Sequence, residues 1–255
     1  MGVIRAIIDS QMRLCQSFDR LLPAHYSVDG NWQFINTFIP KYLKKNMTVY
    51  DVGGGKSPYI SNEKKKELSL TVIGIDIDAD ELRRAPKGLY DEAICADITK
   101  FNGRGDADLV ICQALLEHVK DVDKAFAALA GIIKPGGRVL VFTPSRHALY
   151  ARINRLLPEA LKKRLLYAIY PGSRRGQGFP SYYDKCTPGE FNALARQHGL
   201  RVEEAEQYYM SDYFSFFFPA YVLWRIWVLL FRFFAGTQAA ESFSLVLKKD
   251  LPQGA

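Results

Sequence analysis

Cysteine and histidine are scarce in this sequence, with four residues of each among 255. The cysteines lie far apart and form no C-x-x-C pair: Cys15, Cys95, Cys112 and Cys186. Because disulfide frameworks and structural zinc sites need closely spaced cysteines, we expect neither, and we expect no bound metal. Sparse, unpaired cysteines fit a reducing cytosol.

A targeting signal is also missing from the N-terminal segment. The stretch MGVIRAIIDSQMRL has no long apolar core of the kind found in secretory signal peptides. Its Met-Gly start is followed by Ala6, where a myristoylation signal has Ser or Thr. We therefore expect a cytoplasmic protein.

Positive charge is not spread evenly along the chain. The net charge is +7, with a pI near 9.1. Residues 151–175, here called the basic stretch, hold seven Lys and Arg against one Glu, which is a net charge of +6. These basic residues are Arg152, Arg155, Lys162, Lys163, Arg164, Arg174 and Arg175. Such a cluster favours anionic lipid as a partner, and the alternative is a solvated helix face.

From residue 48 onwards, short apolar runs alternate with helical segments. The runs predict strands at 48–52, 72–76, 92–95, 108–112 and 139–143, with helices near 61–68, 80–84 and 122–133. Continuous apolar strands separated by helices are typical of a parallel sheet covered on both faces. Two later segments, 201–207 and 243–248, complete the prediction: a Rossmann-like α/β fold with a seven-stranded, mostly parallel sheet.

The remaining segments define the predicted domain organisation. Residues 1–46 form an N-terminal helical cap, in which Pro40 is expected to break a helix. Residues 47–255 form the main domain, with a basic insertion at 151–186 and an apolar helical insertion at 210–240, between the last two strands. A helix is expected to begin at Thr187, where Thr187 and Glu190 have the spacing of a capping box.

A glycine-rich loop and three acids mark one edge of the predicted sheet. Gly53, Gly54 and Gly55 join the first strand to the first helix, and glycines let a backbone turn sharply against a ligand. Asp51, Asp76 and Asp97 lie at the ends of three consecutive strands. The carboxyl ends of parallel strands meet at the edge where open α/β sheets bind ligands. These acids therefore predict a site for a ligand with ribose hydroxyls or an ammonium group.

The spacing of the glycines excludes two other kinds of ligand-binding loop. The sequence Gly55-Lys56-Ser57 resembles the end of a P-loop, but the earlier glycine of that motif would fall on Tyr50. A dinucleotide fingerprint that began at Gly53 would need glycine at position 58, which is Pro58. The loop therefore indicates neither an NTPase nor a dehydrogenase.

Over residues 47–145 the sequence resembles the class I S-adenosylmethionine-dependent methyltransferases. Five segments, in this order, carry the resemblance: D-V-G-G-G, I-D-I-D, A-D-I, L-L-E-H-V and K-P-G-G-R-V-L-V. The resemblance implies S-adenosyl-L-methionine as cofactor. It also implies a cofactor site formed by Asp51, Gly53, Gly54, Gly55, Asp76, Ile77, Asp97, Ile98 and Gln113. One departure is Ser57, where the family often has a further glycine.

The fourth strand ends in I-C-Q-A and lacks the N/D-P-P-Y/F signature of nucleic-acid amino-methyltransferases. We therefore expect no nucleic-acid partner. An oxygen acceptor would need a general base, and His118 and His147 follow the fourth and fifth strands, where they can reach the cofactor edge. Tyr182, Tyr183 and Asp184 are alternatives to these two histidines as the base.

An apolar segment spans residues 214–234 and includes Arg225 and Arg232. These arginines share one helix face with Tyr221, so the segment is predicted to lie in a membrane interface with its arginines at the headgroups. Two alternatives remain open, which are a buried wall of the substrate pocket and a dimer contact.

The predicted function is methyl transfer to an amphipathic or lipid-like small acceptor at a membrane surface. The expected partners are a small-molecule or lipid-linked acceptor and a peripheral membrane contact on the inner face. One alternative is a soluble O- or N-methyltransferase of a small metabolite, with a dimerising apolar helix. Another is a non-catalytic cofactor-binding module.

Overall fold

The computed structural model describes residues 2–158, 161, 164 and 179–251. The strands are β1 (Thr48–Val52), β2 (Thr71–Asp76), β3 (Glu92–Cys95), β4 (Ala107–Gln113), β5 (Ile133–Pro144), β6 (Leu200–Tyr208) and β7 (Ser242–Lys249). The helices are α1 (Gly2–Asp19), α2 (Gly30–Gln33), α3 (Ile39–Tyr42), α4 (Asn62–Leu68), α5 (Ala79–Arg83), α6 (Val122–Ile132), α7 (Leu149–Leu156), α8 (Pro188–Gln197) and α9 (Phe218–Ala235). Short 3₁₀ turns lie at Ala24–Tyr26, Ile98–Lys100, Leu116–His118 and Gly236–Ala239.

The seven strands form one sheet in the order β3-β2-β1-β4-β5-β7-β6. Strands β1 to β5 are parallel, and β7 runs antiparallel to both β5 and β6. This confirms the predicted Rossmann-like, mostly parallel sheet. The strand order reverses between β1 and β4, and the crevice at their carboxyl ends is where such sheets bind ligands.

Both faces of the sheet are buried because side chains alternate along each strand. In β4, Val110 and Cys112 pack on one face, while Leu109 and Ile111 pack on the other. Helices α6 and α8 cover the first face, where the rings of Phe126 and Phe191 meet edge to face. Residues from α2 to α4 cover the second face.

The helix boundaries follow local capping chemistry. Thr187 accepts a hydrogen bond from the Glu190 backbone N–H and donates one to its carboxylate, so the predicted N-cap at Thr187 is confirmed. The Thr187 N–H donates to the Lys185 carbonyl, so the second bond of a capping box is not formed. The predicted break at Pro40 is wrong. The helical path runs from α2 through a π-helical turn, Phe34–Phe38, into α3. The wider turn leaves room for a proline that has no N–H to donate.

The predicted arginine face of the apolar segment is also wrong. Arg225 is 1% exposed, and its Nε lies 3.0 Å from Oδ1 of Asp19 at the end of α1. Its guanidinium donates to the carbonyls of Tyr209 and Tyr26, and Tyr221 donates to the Asp19 carboxylate. The polar face of α9 therefore points into the protein, because these partners satisfy it there.

The opposite face of α9 is apolar and exposed. It consists of Leu223, Ile226, Trp227, Leu230, Phe233 and Phe234, here called the outer face of α9. Among the described residues, one helical stretch, Phe218–Ala239, is long and apolar enough to cross a membrane by length and composition. In the basic stretch, Arg152, Arg155 and Arg164 are exposed, and Lys162, Lys163, Arg174 and Arg175 lie outside the described residues.

Candidate functional site

The glycine-rich loop begins where β1 ends, at the crevice of the sheet. The Gly53 N–H donates to the Ile75 carbonyl over 2.7 Å, which ties the loop to β2. A Cβ on Gly54 would lie 2.3 Å from Oδ2 of Asp51, and one on Gly55 would lie 3.0 Å from Oδ2 of Asp76. Gly55 also has a φ of +48°, which favours glycine. The loop thus runs directly over two carboxylates.

Asp51 is completely buried beneath this loop. The Tyr90 hydroxyl lies 3.2 Å from its Oδ2, while Oδ1 has no hydrogen-bond partner. Burial raises the pKa of this carboxyl to about 7, although hydrogen bonds from Tyr90 and the Tyr59 backbone oppose the shift. A buried carboxylate oxygen without a partner is costly, so a ligand that brings an ammonium group would satisfy it.

Asp76 is the last residue of β2 and stands next to the same loop. Its Oδ1 accepts the Asp78 backbone N–H over 2.9 Å. Burial raises the pKa of this half-buried carboxyl, and the neighbouring acids Asp78 and Glu81 add to the shift. Ile77 follows it and is 59% exposed, so it offers an apolar surface beside the carboxylate. Asp76 and Ile77 can therefore hold a ribose and an adjoining flat ring.

Asp97 and Ile98 have mainly local roles. Asp97 caps the turn Ile98–Lys100, because its Oδ1 accepts from the backbone and the hydroxyl of Thr99. Burial opposes ionisation of Asp97, but these hydrogen bonds and Lys100 lower its pKa overall. Ile98 is buried in the core. A contact of this pair with the adenine ring stays a prediction.

Gln113 closes the crevice from the end of β4. It is 2% exposed, its Nε2 donates to Oδ1 of Asn31, and its Oε1 has no partner. Asn31 belongs to α2, whose first turn is capped by Asp29. The sequence prediction did not include Asn31, since nothing local in the sequence links α2 to β4.

Glu117 is a buried acid that the sequence prediction also missed. It is 4% exposed, and its Oε2 accepts the Thr143 hydroxyl over 3.1 Å. Its carbonyl accepts the backbone N–H groups of Tyr182 and Tyr183, so the loop after residue 178 is held across this end of the sheet. Burial raises the pKa of Glu117, and the adjacent His118 opposes that shift.

His118 lies beside Glu117, on the side that faces solvent. Its Nδ1 is 3.0 Å from the Pro180 carbonyl, to which a ring nitrogen can only donate, and 3.3 Å from the Ser181 hydroxyl. Its Nε2 is 3.8 Å from Glu117 Oε1, and the side chain is 30% exposed. The ring nitrogen that faces away from Pro180 therefore lies next to the buried carboxyl of Glu117.

The other candidate bases have different surroundings. His147 Nδ1 lies 3.2 Å from the Gln238 carbonyl, and burial lowers the pKa of this histidine. Asp184 accepts the Val122 backbone N–H at the start of α6, while burial raises the pKa of Tyr183. Within the described part of the chain, no three His, Cys, Asp or Glu side chains come together as metal ligands.

A family model described as a methyltransferase domain matches residues 24–205. The chain is 30% identical over 189 residues to the ubiquinone biosynthesis O-methyltransferase of Thiobacillus denitrificans, which is 71% of this chain and 75% of that protein. It is 31% identical to the protein of the same name from Cupriavidus pinatubonensis over 61% of each chain.

A solved structure with a similar fold is phosphoethanolamine N-methyltransferase 2 of Haemonchus contortus, in complex with S-adenosyl-L-methionine. It aligns with a TM-score of 0.54 at 16% identity, over 93% of this chain and 57% of that one. At this identity the likeness concerns the fold.

Proposed function

This chain belongs to the class I S-adenosylmethionine-dependent methyltransferases, and from that premise we propose that it methylates a hydroxyl oxygen of a quinone-like or lipid-like acceptor at a membrane surface. The observation that carries the proposal is the outer face of α9, an exposed apolar surface on a methyltransferase whose relatives are named for ubiquinone biosynthesis. An amphipathic acceptor would partition into the surface that this face can enter.

The residues at the crevice fit the cofactor. The unpartnered Oδ1 of Asp51 suits its ammonium group, and Asp76 suits its ribose hydroxyls. The close approach of the loop at Gly54 and Gly55 leaves room for a ligand only because neither residue has a Cβ. S-adenosylmethionine supplies a methyl group on a positively charged sulfur, from which a nucleophile displaces it in line.

Of the two histidines predicted as bases, His118 has the better geometry. The acceptor hydroxyl must lose its proton as its oxygen attacks, and Nε2 of a neutral His118 can take that proton. Glu117, 3.8 Å away, would then stabilise the imidazolium that forms. His147 lies beside the turn Gly236–Ala239 and remains the alternative base.

Two features of α9 support attachment to one side of a membrane rather than crossing. The helix lies between β6 and β7, which are neighbours in the same sheet, so both of its ends must stay on the same side. Its inner face is fixed to α1 by the ion pair between Arg225 and Asp19. An exposed apolar face beside cationic side chains is typical of helices that lie in the interface.

A cationic side chain of the basic stretch lies next to this helix. The guanidinium of Arg152 stacks over the ring of Phe231 at 5.5 Å, so this residue of the basic stretch lies at the edge of α9. Anionic headgroups attract such residues by about 1 kcal/mol for each Lys or Arg near the surface. We therefore propose a peripheral position on the inner, cytoplasmic face of the membrane, without nucleic acid as a partner.

Vesicle flotation tests the membrane part of the proposal. Binding should rise with anionic lipid and fall partly, but not wholly, in high salt, because salt screens only the charged contribution. Replacing Trp227, Leu230 and Phe233 by Gln should remove the salt-resistant part. Replacing Arg152, Arg155 and Arg164 by Gln should reduce the salt-sensitive part. A wild-type protein that stays with neither neutral nor anionic vesicles would refute membrane attachment.

Methyl transfer is tested separately, with alkylcatechols as hydroxyl acceptors and detection of the added methyl group by mass spectrometry.

The outer face of α9 would suit a second copy of the chain if vesicles do not bind. Light scattering decides between these cases, since a dimer has twice the 28.9 kDa chain mass.

A further inference from the structure

A groove runs between the start of α7 and the outer face of α9. It has a volume of about 360 Å³. All of its lining side chains are apolar or aromatic: Leu149, Phe214, Ala220, Leu223, Trp224 and Trp227. The four from α9 are spaced at i, i+3, i+4 and i+7, so they form one continuous helix face. The groove is thus a concavity in an apolar surface.

The wall of the groove at Leu149 adjoins the core of the protein. Tyr150 follows Leu149, and its ring stacks on that of Tyr213 with centroids 4.0 Å apart. Tyr150 belongs to the same core cluster as Tyr183, whose backbone N–H donates to the Glu117 carbonyl. Aromatic residues of one core cluster therefore lie both next to the groove, at Tyr150, and next to Glu117, at Tyr183.

The outer end of the groove opens on the face proposed to enter the membrane. Leu223 is 70% exposed and Trp227 is 42% exposed, so each lines the groove and also belongs to that face. A hydrocarbon chain could pass from a bilayer into the groove without crossing a polar surface.

We propose that this groove binds the hydrocarbon chain of the acceptor, so that the enzyme selects acceptors carrying an apolar tail. The inference rests on the proposed function and adds to it a site of selection. The groove volume falls at the lower end of the range for small-molecule sites, which suits one chain. A second copy of the protein would cover the whole outer face of α9, whereas one hydrocarbon chain matches the size of the groove.

Two of the three tryptophans in the chain line the groove, which gives a direct readout. In a Trp32→Phe background, titration with bromodecanol and bromohexanol, as soluble monomers without vesicles, should quench the emission of Trp224 and Trp227. Each additional methylene that becomes buried should tighten binding by up to about four-fold. The longer chain should therefore bind more tightly.

Leu223→Gln and Leu230→Gln form a matched pair. Both replace an exposed leucine of α9, but only Leu223 lines the groove. Leu223→Gln should weaken bromodecanol binding by about ten-fold or more, while Leu230→Gln leaves it unchanged. Ala220→Phe, which fills the groove, should do the same as Leu223→Gln. Equal quenching in the two leucine variants, or no quenching in the Trp32→Phe protein, overturns the groove as a chain site.

Methylation of catechol and of a long-chain alkylcatechol separates this inference from the proposed function. If the groove selects the chain, Leu223→Gln raises KM for the alkylcatechol and leaves KM for catechol unchanged. Methylation with the same KM in wild type and Leu223→Gln refutes the groove and retains the proposed function. Chain binding without methylation of any hydroxyl refutes the acceptor chemistry and retains the groove.

Discussion

The buried ion pair between α1 and α9 allows a quantitative test of how the outer face of α9 is held. Replacing Arg225 by Leu keeps an apolar side chain in place but leaves the Asp19 carboxylate, which is 7% exposed, without its counter-charge. Removing one partner of a buried pair typically costs about 3–5 kcal/mol. Arg225 also donates to the carbonyls of Tyr209 and Tyr26.

These contributions are coupled, so they do not simply add. We expect Arg225→Leu to lower the free energy of unfolding by about 3–5 kcal/mol, measured by urea titration. Leu230→Gln is the control on the same helix, and it should change stability by less than about 0.5 kcal/mol because that side chain is exposed.

The double variant Asp19→Asn with Arg225→Leu tests the cause. It removes the uncompensated charge, so it should be more stable than Arg225→Leu alone. A single variant within about 0.5 kcal/mol of wild type would refute the reasoning, since the pair would then contribute nothing to the attachment of α9.

Three further predictions concern the cofactor edge. Burial raises the pKa of Asp51 to about 7, so the affinity for S-adenosylhomocysteine should rise with pH by up to about ten-fold per unit below 7 and level off above. Calorimetry measures this affinity. A pH-independent affinity in wild type, or a retained pH dependence in Asp51→Asn, would contradict the prediction. Gly54→Ala places a Cβ against Asp51, so it should abolish detectable cofactor binding while circular dichroism shows a folded protein; wild-type affinity would show that the loop yields. His118→Ala should lower the methylation rate by about 10²–10⁴-fold with unchanged cofactor affinity, whereas a larger loss in His147→Ala would transfer the role of base to His147.

Much of the fold could be predicted because its signals are local. The central strands β1, β2, β4 and β5 contain short apolar runs, and Thr187 and Glu190 are three residues apart, so both features are visible in a small window of sequence. The predicted bounds of β5, 139–143, differ more from the structure. β5 begins at Ile133, which pairs with Ala107 of β4, and the register between the two strands then shifts at a bulge. Pairing across a sheet is not visible in the sequence of one strand.

The errors at the site and at α9 have the same origin. Arg225 was predicted at a lipid headgroup because the periodicity of the helix separates arginines from leucines but does not say which face is inside. Its partner Asp19 lies in α1, and the Tyr221 contact with that carboxylate spans 202 residues. Asn31 and Glu117 were missed for the same reason, since their significance comes from Gln113 and Thr143, which only the fold brings near.

The position of β7 has a consequence for synthesis of the chain. It is the last strand in sequence but lies between β5 and β6 in space, so β6 has no partner in the sheet until β7 is present. Ribosomes add roughly 5–20 residues per second, and α9 is made before β7. For that interval the growing polypeptide exposes an open edge at β5 together with the apolar residues of α9. Both are surfaces prone to aggregation, so a nascent chain paused before residue 242 is the form of this protein most dependent on chaperones.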